Sequence, residues 1–263
     1  MSKNIRFYLI FIIGFSVHYF FDAFCFKSIQ TVSKNFFHSK ALAHIIAYSI
    51  TLLPLLITGK ILLPGKSIFD LFSLNTSIKK GFTLAFTGTL PMLTGYFVHF
   101  GLSSSIHFES LFINTVSSAF FEEIIFRAFL IGILYRFTTL GFLSTVLLGS
   151  LLFAQVHLYQ SQDPVELLEI FSITFLGSIF FAWIYFETDF NLWTAIFAHF
   201  FMNLYWEIYN VSENVSGNLY GNIYKILSLL VIILLIIYDK KRHNTAFQVT
   251  LKSLFIKSRE AQS

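Results

Sequence analysis

Long apolar segments separated by short polar stretches run along the whole chain. Each segment is close to the roughly 20 residues that an α-helix needs to cross a bilayer. The pattern predicts an all-α, polytopic membrane protein with about eight transmembrane helices that enclose a polar cavity. The segments lie at about residues 6–25, 41–63, 81–100, 111–135, 140–158, 166–186, 190–208 and 222–238.

The composition agrees with this class. Of the 263 residues, 56% are hydrophobic and only 12% are charged, whereas a soluble domain has about 25% charged residues. The net charge of +4 is therefore better interpreted as membrane topology, and we expect no nucleic-acid partner. Cys25 is the only cysteine, so neither an intrachain disulfide nor a thiolate metal cluster can form. The first segment follows basic residues, as in a signal peptide, but lacks an A-x-A-like site, so we interpret it as an uncleaved span.

The distribution of Lys and Arg predicts the orientation. With eight spans both termini lie on one side, and that side holds 13 basic residues against 4 on the other. The positive-inside rule then places both termini in the cytoplasm, with the helices in the plasma (inner) membrane. We also expect the basic tail after Tyr238 to lie against anionic lipid headgroups. The larger set is Lys3, Arg6, Lys60, Lys66, Lys79, Lys80, Arg136, Lys240, Lys241, Arg242, Lys252, Lys257 and Arg259; the smaller is Lys27, Lys34, Lys40 and Lys225.

The fourth segment carries two adjacent carboxylates and an arginine inside an apolar run. Charged side chains at membrane depth are costly and suggest function by default. On a helix, Glu123 and Arg127 share a face and can pair, which fits either a structural ion pair or a chemical role. Glu122 points elsewhere and has no basic residue three or four positions away, which favours chemistry.

Two further polar pairs follow at helical spacing. Phe153 and His157 lie near the end of the fifth segment, and His199 and Asn203 lie in the seventh. Polar groups in hydrocarbon must meet one another or water, so we expect them to converge on one cavity. There a carboxylate could take a proton from water, one imidazole could hold that water, and the other could stabilise an oxyanion with an amide. His18 and Asp22, four apart in the first segment, either pair with each other or line the mouth of this cavity.

The ordered set of polar residues resembles the CPBP family, the CAAX-processing and bacteriocin-processing intramembrane proteases, also called the ABI family. The resemblance covers about residues 110–205. Ala128 stands where many members have glycine, a small-for-small change. Three family motifs are matched in order and on separate spans: Glu122-Glu123-x-x-x-Arg127, Phe153-x-x-x-His157 and His199-x-x-x-Asn203.

The resemblance implies a role for each matched position. Glu122 corresponds to the glutamate that activates water, and His157 to the histidine that orients it. His199 and Asn203 correspond to the oxyanion site.

The remaining matched positions are supporting, and they are Glu123, Arg127 and Phe153. Family members are described both as metalloproteases and as metal-independent glutamate proteases. Two glutamates and two histidines could ligate a divalent ion, but no zinc-like ligand spacing is present, so we expect no metal and no other cofactor.

These observations predict an intramembrane endopeptidase, a glutamate protease of CAAX type. We expect it to act on a membrane-associated protein or peptide in contact with membrane lipid. Residues 1–100 would form N-terminal transmembrane helices, residues 101–210 the catalytic core, and residues 211–263 the last transmembrane helix and a basic cytoplasmic tail. The alternatives are a non-proteolytic bacteriocin-immunity or partner-binding membrane protein and, ranked last, a transporter or proton relay.

Overall fold

The structure is a computed structural model that describes residues 3–104 and 106–257, with Lys3 described by its backbone alone. Arg259, one of the basic residues predicted to lie in the cytoplasm, falls outside the described residues. Within those ranges the chain is almost entirely helical, and the only β pairing is an isolated bridge between Leu140 and Ile256. The predicted all-α class is confirmed.

The helices follow one another with short connections. One continuous helical run, residues 108–137, contains two π-helical parts and is called here the glutamate helix. The α-helices are α1 Lys3–Phe37, α2 Lys40–Thr51, α3 Leu53–Leu62, α4 Ile68–Leu71, α5 Ile78–Gly88, α6 Leu90–His99, α7 Phe108–Phe112, α8 Ser118–Glu122, α9 Leu134–Phe137, α10 Phe142–Gln155, α11 Pro164–Glu187, α12 Leu192–Ile208 and α13 Leu219–His243. The π-helical parts are Ile113–Ser117 and Glu123–Ile133, and 3-10 turns occur at Leu158–Gln160 and Leu251–Ser253.

Each of the eight apolar segments is helical, and five helices are long and apolar enough to cross a membrane. The others are α5 with α6, the glutamate helix with its charged residues, and α12 with 17 residues. The length and composition of these helices indicate an integral membrane protein. The five are Asn4–Phe37, Lys40–Leu62, Phe142–Gln160, Pro164–Glu187 and Leu219–His243.

A proline kink interrupts the second apolar segment. Pro54 has no N–H and separates α2 from α3. Beside the kink, the carbonyl oxygen of Thr51 accepts a hydrogen bond of 2.7 Å from Nδ1 of the buried His18 on α1. This carbonyl, rather than Asp22, is the hydrogen-bond partner of His18, so the bond ties α1 to α2.

One end of the bundle, called here the tail end, carries the C-terminal segment. Arg136, in the last turn of the glutamate helix, donates there to the carbonyl oxygens of Asp70 and Leu71 and to Oγ of Ser73. These bonds anchor the glutamate helix at this end. The segments of the tail end are 63–77, 138–141, 188–191 and 244–257.

The opposite end, called here the far end, is closed by other loop contacts. Oγ of Ser39, between α1 and α2, donates to Glu109 of the glutamate helix at 2.6 Å. This bond and a second from the Ala41 N–H hold the pKa of Glu109 below its ordinary value. The segments of the far end are 38–39, 100–107, 161–163 and 209–218.

The C-terminal tail folds back onto the bundle. Lys240, which we expected on a solvated or lipid-facing surface, is 2% exposed and pairs at 3.3 Å with the buried Glu187 of α11. Glu187 also accepts hydrogen bonds from the backbone N–H groups of Gln248 and Val249. The expectation of a lipid-facing tail was wrong for Lys240, because an acidic residue near the end of α11 gives it a buried partner.

A second contact fixes the tail to the start of α10. The N–H of Gly141 donates to the Phe255 carbonyl at 2.7 Å, and the two backbones approach closely. A Cβ on Gly141 would lie 2.4 Å from the Ser253 carbonyl oxygen, so only glycine fits here. Lys257 lies over the Tyr135 ring at 4.0 Å and donates to the Tyr135 carbonyl oxygen.

Lys240→Ala tests the docked tail. We expect it to lower the free energy of unfolding by about 3–5 kcal/mol, because the carboxylate of Glu187 stays buried without its cation. Lys241→Ala removes the exposed neighbouring cation and serves as the control. Thermal unfolding of the purified protein in detergent measures both, and equal stability of the two variants would contradict the expectation.

Candidate active site

The glutamate helix carries the site at a change of helical winding. Glu122 is the last residue of α8, and Glu123 begins the π-helical part Glu123–Ile133, all of which is buried. A helix that is apolar on all sides is a buried helix, which explains its central position. π-Helical turns are rare and occur frequently at functional sites.

Glu123 is the centre of the buried charge cluster. Its side chain is fully buried, and Oε1 lies 3.1 Å from Nη1 of Arg127. The same oxygen accepts a hydrogen bond of 2.8 Å from Nδ1 of His199 on α12. The predicted pairing of Glu123 with Arg127 is thus present. His199, for which the family resemblance implied only an oxyanion role, also binds Glu123.

Aromatic rings enclose the guanidinium of Arg127. Arg127 is fully buried, and among the described residues none of its three side-chain nitrogens has a partner in hydrogen-bond geometry. Its Cζ lies 4.2 Å from the ring centre of Phe153 on α10 and 5.3 Å from that of Phe181 on α11. A desolvated cation over a ring gains about 2 kcal/mol or more. Phe153, predicted to be supporting, therefore holds the cation that balances Glu123.

Glu122 has a different environment from its neighbour. Its side chain is 17% exposed, and Oε2 lies 4.0 Å from Nε2 of His199. Within the described ranges this oxygen has no hydrogen-bond partner. Two adjacent carboxylates in unlike surroundings are suited to different roles. His199 lies between them, with one nitrogen directed to each.

His157 lies in the turn after α10, beside Phe153. Its Nδ1 is 2.7 Å from the Phe153 carbonyl oxygen, and the two rings are 4.5 Å apart. A carbonyl oxygen can only accept, so Nδ1 carries a proton, and in the neutral imidazole Nε2 is then an acceptor. In the described part of the chain, no ion pair within 4.0 Å joins His157 to Glu122.

Asn203 contacts the first half of the glutamate helix. Its Nδ2 donates to the carbonyl oxygen of Asn114 at 2.9 Å, and the Asn114 side chain donates to Glu207 at 3.0 Å. Asn203 and His199 share α12, but each is bound to a different turn of the glutamate helix. An amide nitrogen has two N–H groups, so one of Asn203 remains for a substrate.

Several residues of the site were not identified from the sequence. Phe181 also lies 5.4 Å from the His199 ring, and nothing distinguishes it among 35 phenylalanines. The polar side chain of Asn114 in an apolar segment was a usable signal. Tyr48 of α2 stacks at 4.8 Å on Phe121, the residue before Glu122. The N-terminal helices therefore contribute to the wall of the site.

A catalytic metal ion such as zinc needs three protein ligands. Among the described residues, no group of three or more His, Cys, Asp and Glu side chains could hold a metal ion. Glu122 and His199 are the nearest candidate ligand pair. Metal independence stays a prediction.

Removing both charges of the buried pair separates stability from function. Arg127→Ala should lower the free energy of unfolding by about 3–5 kcal/mol, because Glu123 stays buried without its cation. Glu123→Leu combined with Arg127→Met should recover much of that stability, since similar apolar volume replaces both groups. It should still remove activity, because Nδ1 of His199 loses its acceptor.

Membrane level, thermal unfolding and cleavage are to be measured together, with Arg242→Ala as the control for an exposed arginine. Normal activity of the double variant would show that Glu123 does not position His199.

Residues 104–205 match the family model described as type II CAAX prenyl endopeptidase, Rce1-like. No curated protein and no solved structure matches the chain. The matched range contains the Glu-Glu-Arg group, His157, His199 and Asn203, in agreement with the resemblance of their motifs. Residues 104–205 therefore form a domain of the CPBP/CAAX protease family.

Proposed function

We propose that the chain is an intramembrane endopeptidase that hydrolyses a peptide bond of a membrane-associated protein or peptide with water activated by Glu122. The observation that carries the proposal is the position of His199 between two carboxylates. Its Nδ1 is 2.8 Å from Glu123, and its Nε2 is 4.0 Å from the partly exposed Glu122. The family match of residues 104–205 supports the protease class.

Glu122 acts as the base and then as the acid. It takes a proton from a water molecule whose oxygen forms a bond to the peptide carbonyl carbon. The electron pair of the C=O double bond moves to the carbonyl oxygen, which gives a tetrahedral oxyanion. When the C–N bond breaks, Glu122 returns the proton to the departing nitrogen. No described residue donates a hydrogen bond to its Oε2, so the carboxylate can hold the proton between the two steps.

His199 stabilises the oxyanion. Because Glu123 accepts from Nδ1, Nε2 is the nitrogen that faces Glu122 and the substrate. In the doubly protonated form, Nε2–H donates to the oxyanion. The net charge of the cluster is then zero, because two carboxylates face one imidazolium and the guanidinium of Arg127. This balance lowers the free-energy cost of burying the charges.

His157 and Asn203 complete the site. The Nε2 of His157 accepts a hydrogen bond from the attacking water, which then lies between this imidazole and Glu122. The second N–H of Asn203 donates to the oxyanion beside His199. Fixed N–H donors of this kind are each worth about 3–4 kcal/mol to a transition state.

The surrounding parts hold this core in the membrane. We propose residues 101–210 as the catalytic core, flanked by the N-terminal helices of 1–100 and by the last helix and tail of 211–263. Both termini lie in the cytoplasm, and the exposed apolar helix faces contact lipid.

Glu122→Gln tests the proposal directly. It keeps the size of the side chain but removes the base, so cleavage of membrane-associated peptides should fall by a hundredfold or more while the membrane level stays normal. Glu169→Gln, at an exposed position of α11, is the matched control. Comparing membrane and secreted peptides with and without each variant measures the effect. Retained biological effect in Glu122→Gln would favour the non-proteolytic immunity or partner-binding role.

Chelation tests the absence of a metal. Purified protein stripped with a strong chelator should keep its activity, because N–H donors supply the polarisation. Asn203→Ala should lose about a hundredfold or more, and Asn35→Ala, at an exposed position of α1, is the control. Activity that disappears on stripping and returns with one divalent ion would overturn the metal-free mechanism.

A further inference from the structure

The exposure of the site changes along the bundle. Arg127 and Glu123 are fully buried, the side chain of Glu122 is 17% exposed, and Tyr159, two residues after His157 in the turn after α10, is 80% exposed. The site is therefore more exposed toward the far end than around Glu123 and Arg127.

Toward the tail end the site is sealed. Every residue of Glu123–Ile133 is buried, so other side chains cover the helix between Glu122 and the tail end. Phe126 packs edge-on against Phe153 at 5.1 Å, and Phe11 of α1 stacks on Phe129 at 5.3 Å. These apolar contacts lie between Glu122 and the tail end.

The other proposed catalytic groups also lie toward the far end. His157 comes two residues after the end of α10 at Gln155. Asn203 is five residues before the end of α12 at Ile208, which corresponds to roughly 7.5 Å along a helix. Gln160 beside His157 accepts a hydrogen bond from the N–H of Val215, so two far-end loops are held together next to the site.

The basic residues lie mostly at the tail end. Apart from the buried Arg127, the described Lys and Arg side chains number 11 there and 4 toward the far end. The positive-inside rule places the richer side in the cytoplasm. The first set is Arg6, Lys60, Lys66, Lys79, Lys80, Arg136, Lys240, Lys241, Arg242, Lys252 and Lys257, and the second is Lys27, Lys34, Lys40 and Lys225.

From the change in exposure and the distribution of basic residues together, we infer that the catalytic cleft opens at the far end, on the extracytoplasmic face of the membrane. The substrate is then a polypeptide whose scissile bond has already crossed the membrane: an exported peptide or the outer segment of a membrane protein. This inference rests on the proposed function only because it names a substrate. The direction of the opening rests on burial and charge alone.

Thiol labelling tests the direction of the opening without any activity measurement. In a Cys25→Ala background, Glu122→Cys should react with a small membrane-impermeant methanethiosulfonate applied to intact cells. Ala128→Cys, six residues along the same helix and fully buried, should not react and is the matched control. Reaction of Glu122→Cys only in inverted vesicles, or from neither side, would overturn the inference.

Two surface positions give the orientation independently. In the same background, Gln162→Cys at the far end should be labelled by an impermeant maleimide on intact cells. Lys252→Cys at the tail end should be labelled only after lysis. Both positions are exposed, so loss of the fold at the site does not affect the readout. The reverse pattern would overturn the inference.

Cleavage from one side separates this inference from the proposed function. A quenched fluorogenic peptide that the solubilised protein cleaves, and Glu122→Gln does not, is added outside sealed vesicles. Right-side-out vesicles should cleave it and inverted vesicles should not. Cleavage by inverted vesicles alone would overturn the opening but keep the protease. If no peptide is cleaved in a Glu122-dependent way, the protease proposal fails, and the thiol labelling still decides the direction of the opening.

Discussion

The hydrogen bond between His199 and Glu123 is the interaction on which the site depends. A charged group in hydrocarbon costs several kcal/mol unless it is paired. One oxygen of Glu123 meets both Arg127 and His199, and the rings of Phe153 and Phe181 cover the guanidinium. The requirement to pair these charges therefore joins α10, α11 and α12 to the glutamate helix.

The same cluster gives two neighbouring glutamates different properties. Glu123 turns inward, where its charge is balanced and it can only hold its partners. Glu122 stays partly exposed, 4.0 Å from the other nitrogen of His199 and without a hydrogen bond among the described residues. A carboxylate with free lone pairs and access to water can accept a proton, whereas Glu123 is buried and already shares one oxygen between Arg127 and His199. Their division of roles thus follows from packing.

Parts of the chain outside the matched range hold this cluster in position. The tail contacts the last turn of the glutamate helix through Tyr135, whose hydroxyl donates to the Gln248 carbonyl at 2.8 Å. Arg136 ties the same turn to the loop after α4. At the other end Ser39 binds Glu109. The glutamate helix is fixed at both ends, so Glu122 can stay in place beside His199 without strong contacts of its own.

Apolar length alone determined the helical segments, because backbone groups in lipid must be satisfied within a helix. It did not determine the helix ends: α1 runs to Phe37, since a helix can extend beyond the bilayer. Helical spacing likewise determined that Glu123 pairs with Arg127, a contact within one turn. Only the tertiary structure decided that His199 binds Glu123 rather than Glu122, that Phe181 covers Arg127 and that Lys240 is buried against Glu187. These contacts join residues 53–76 positions apart in the sequence, and they depend on how helices pack, which local periodicity does not encode.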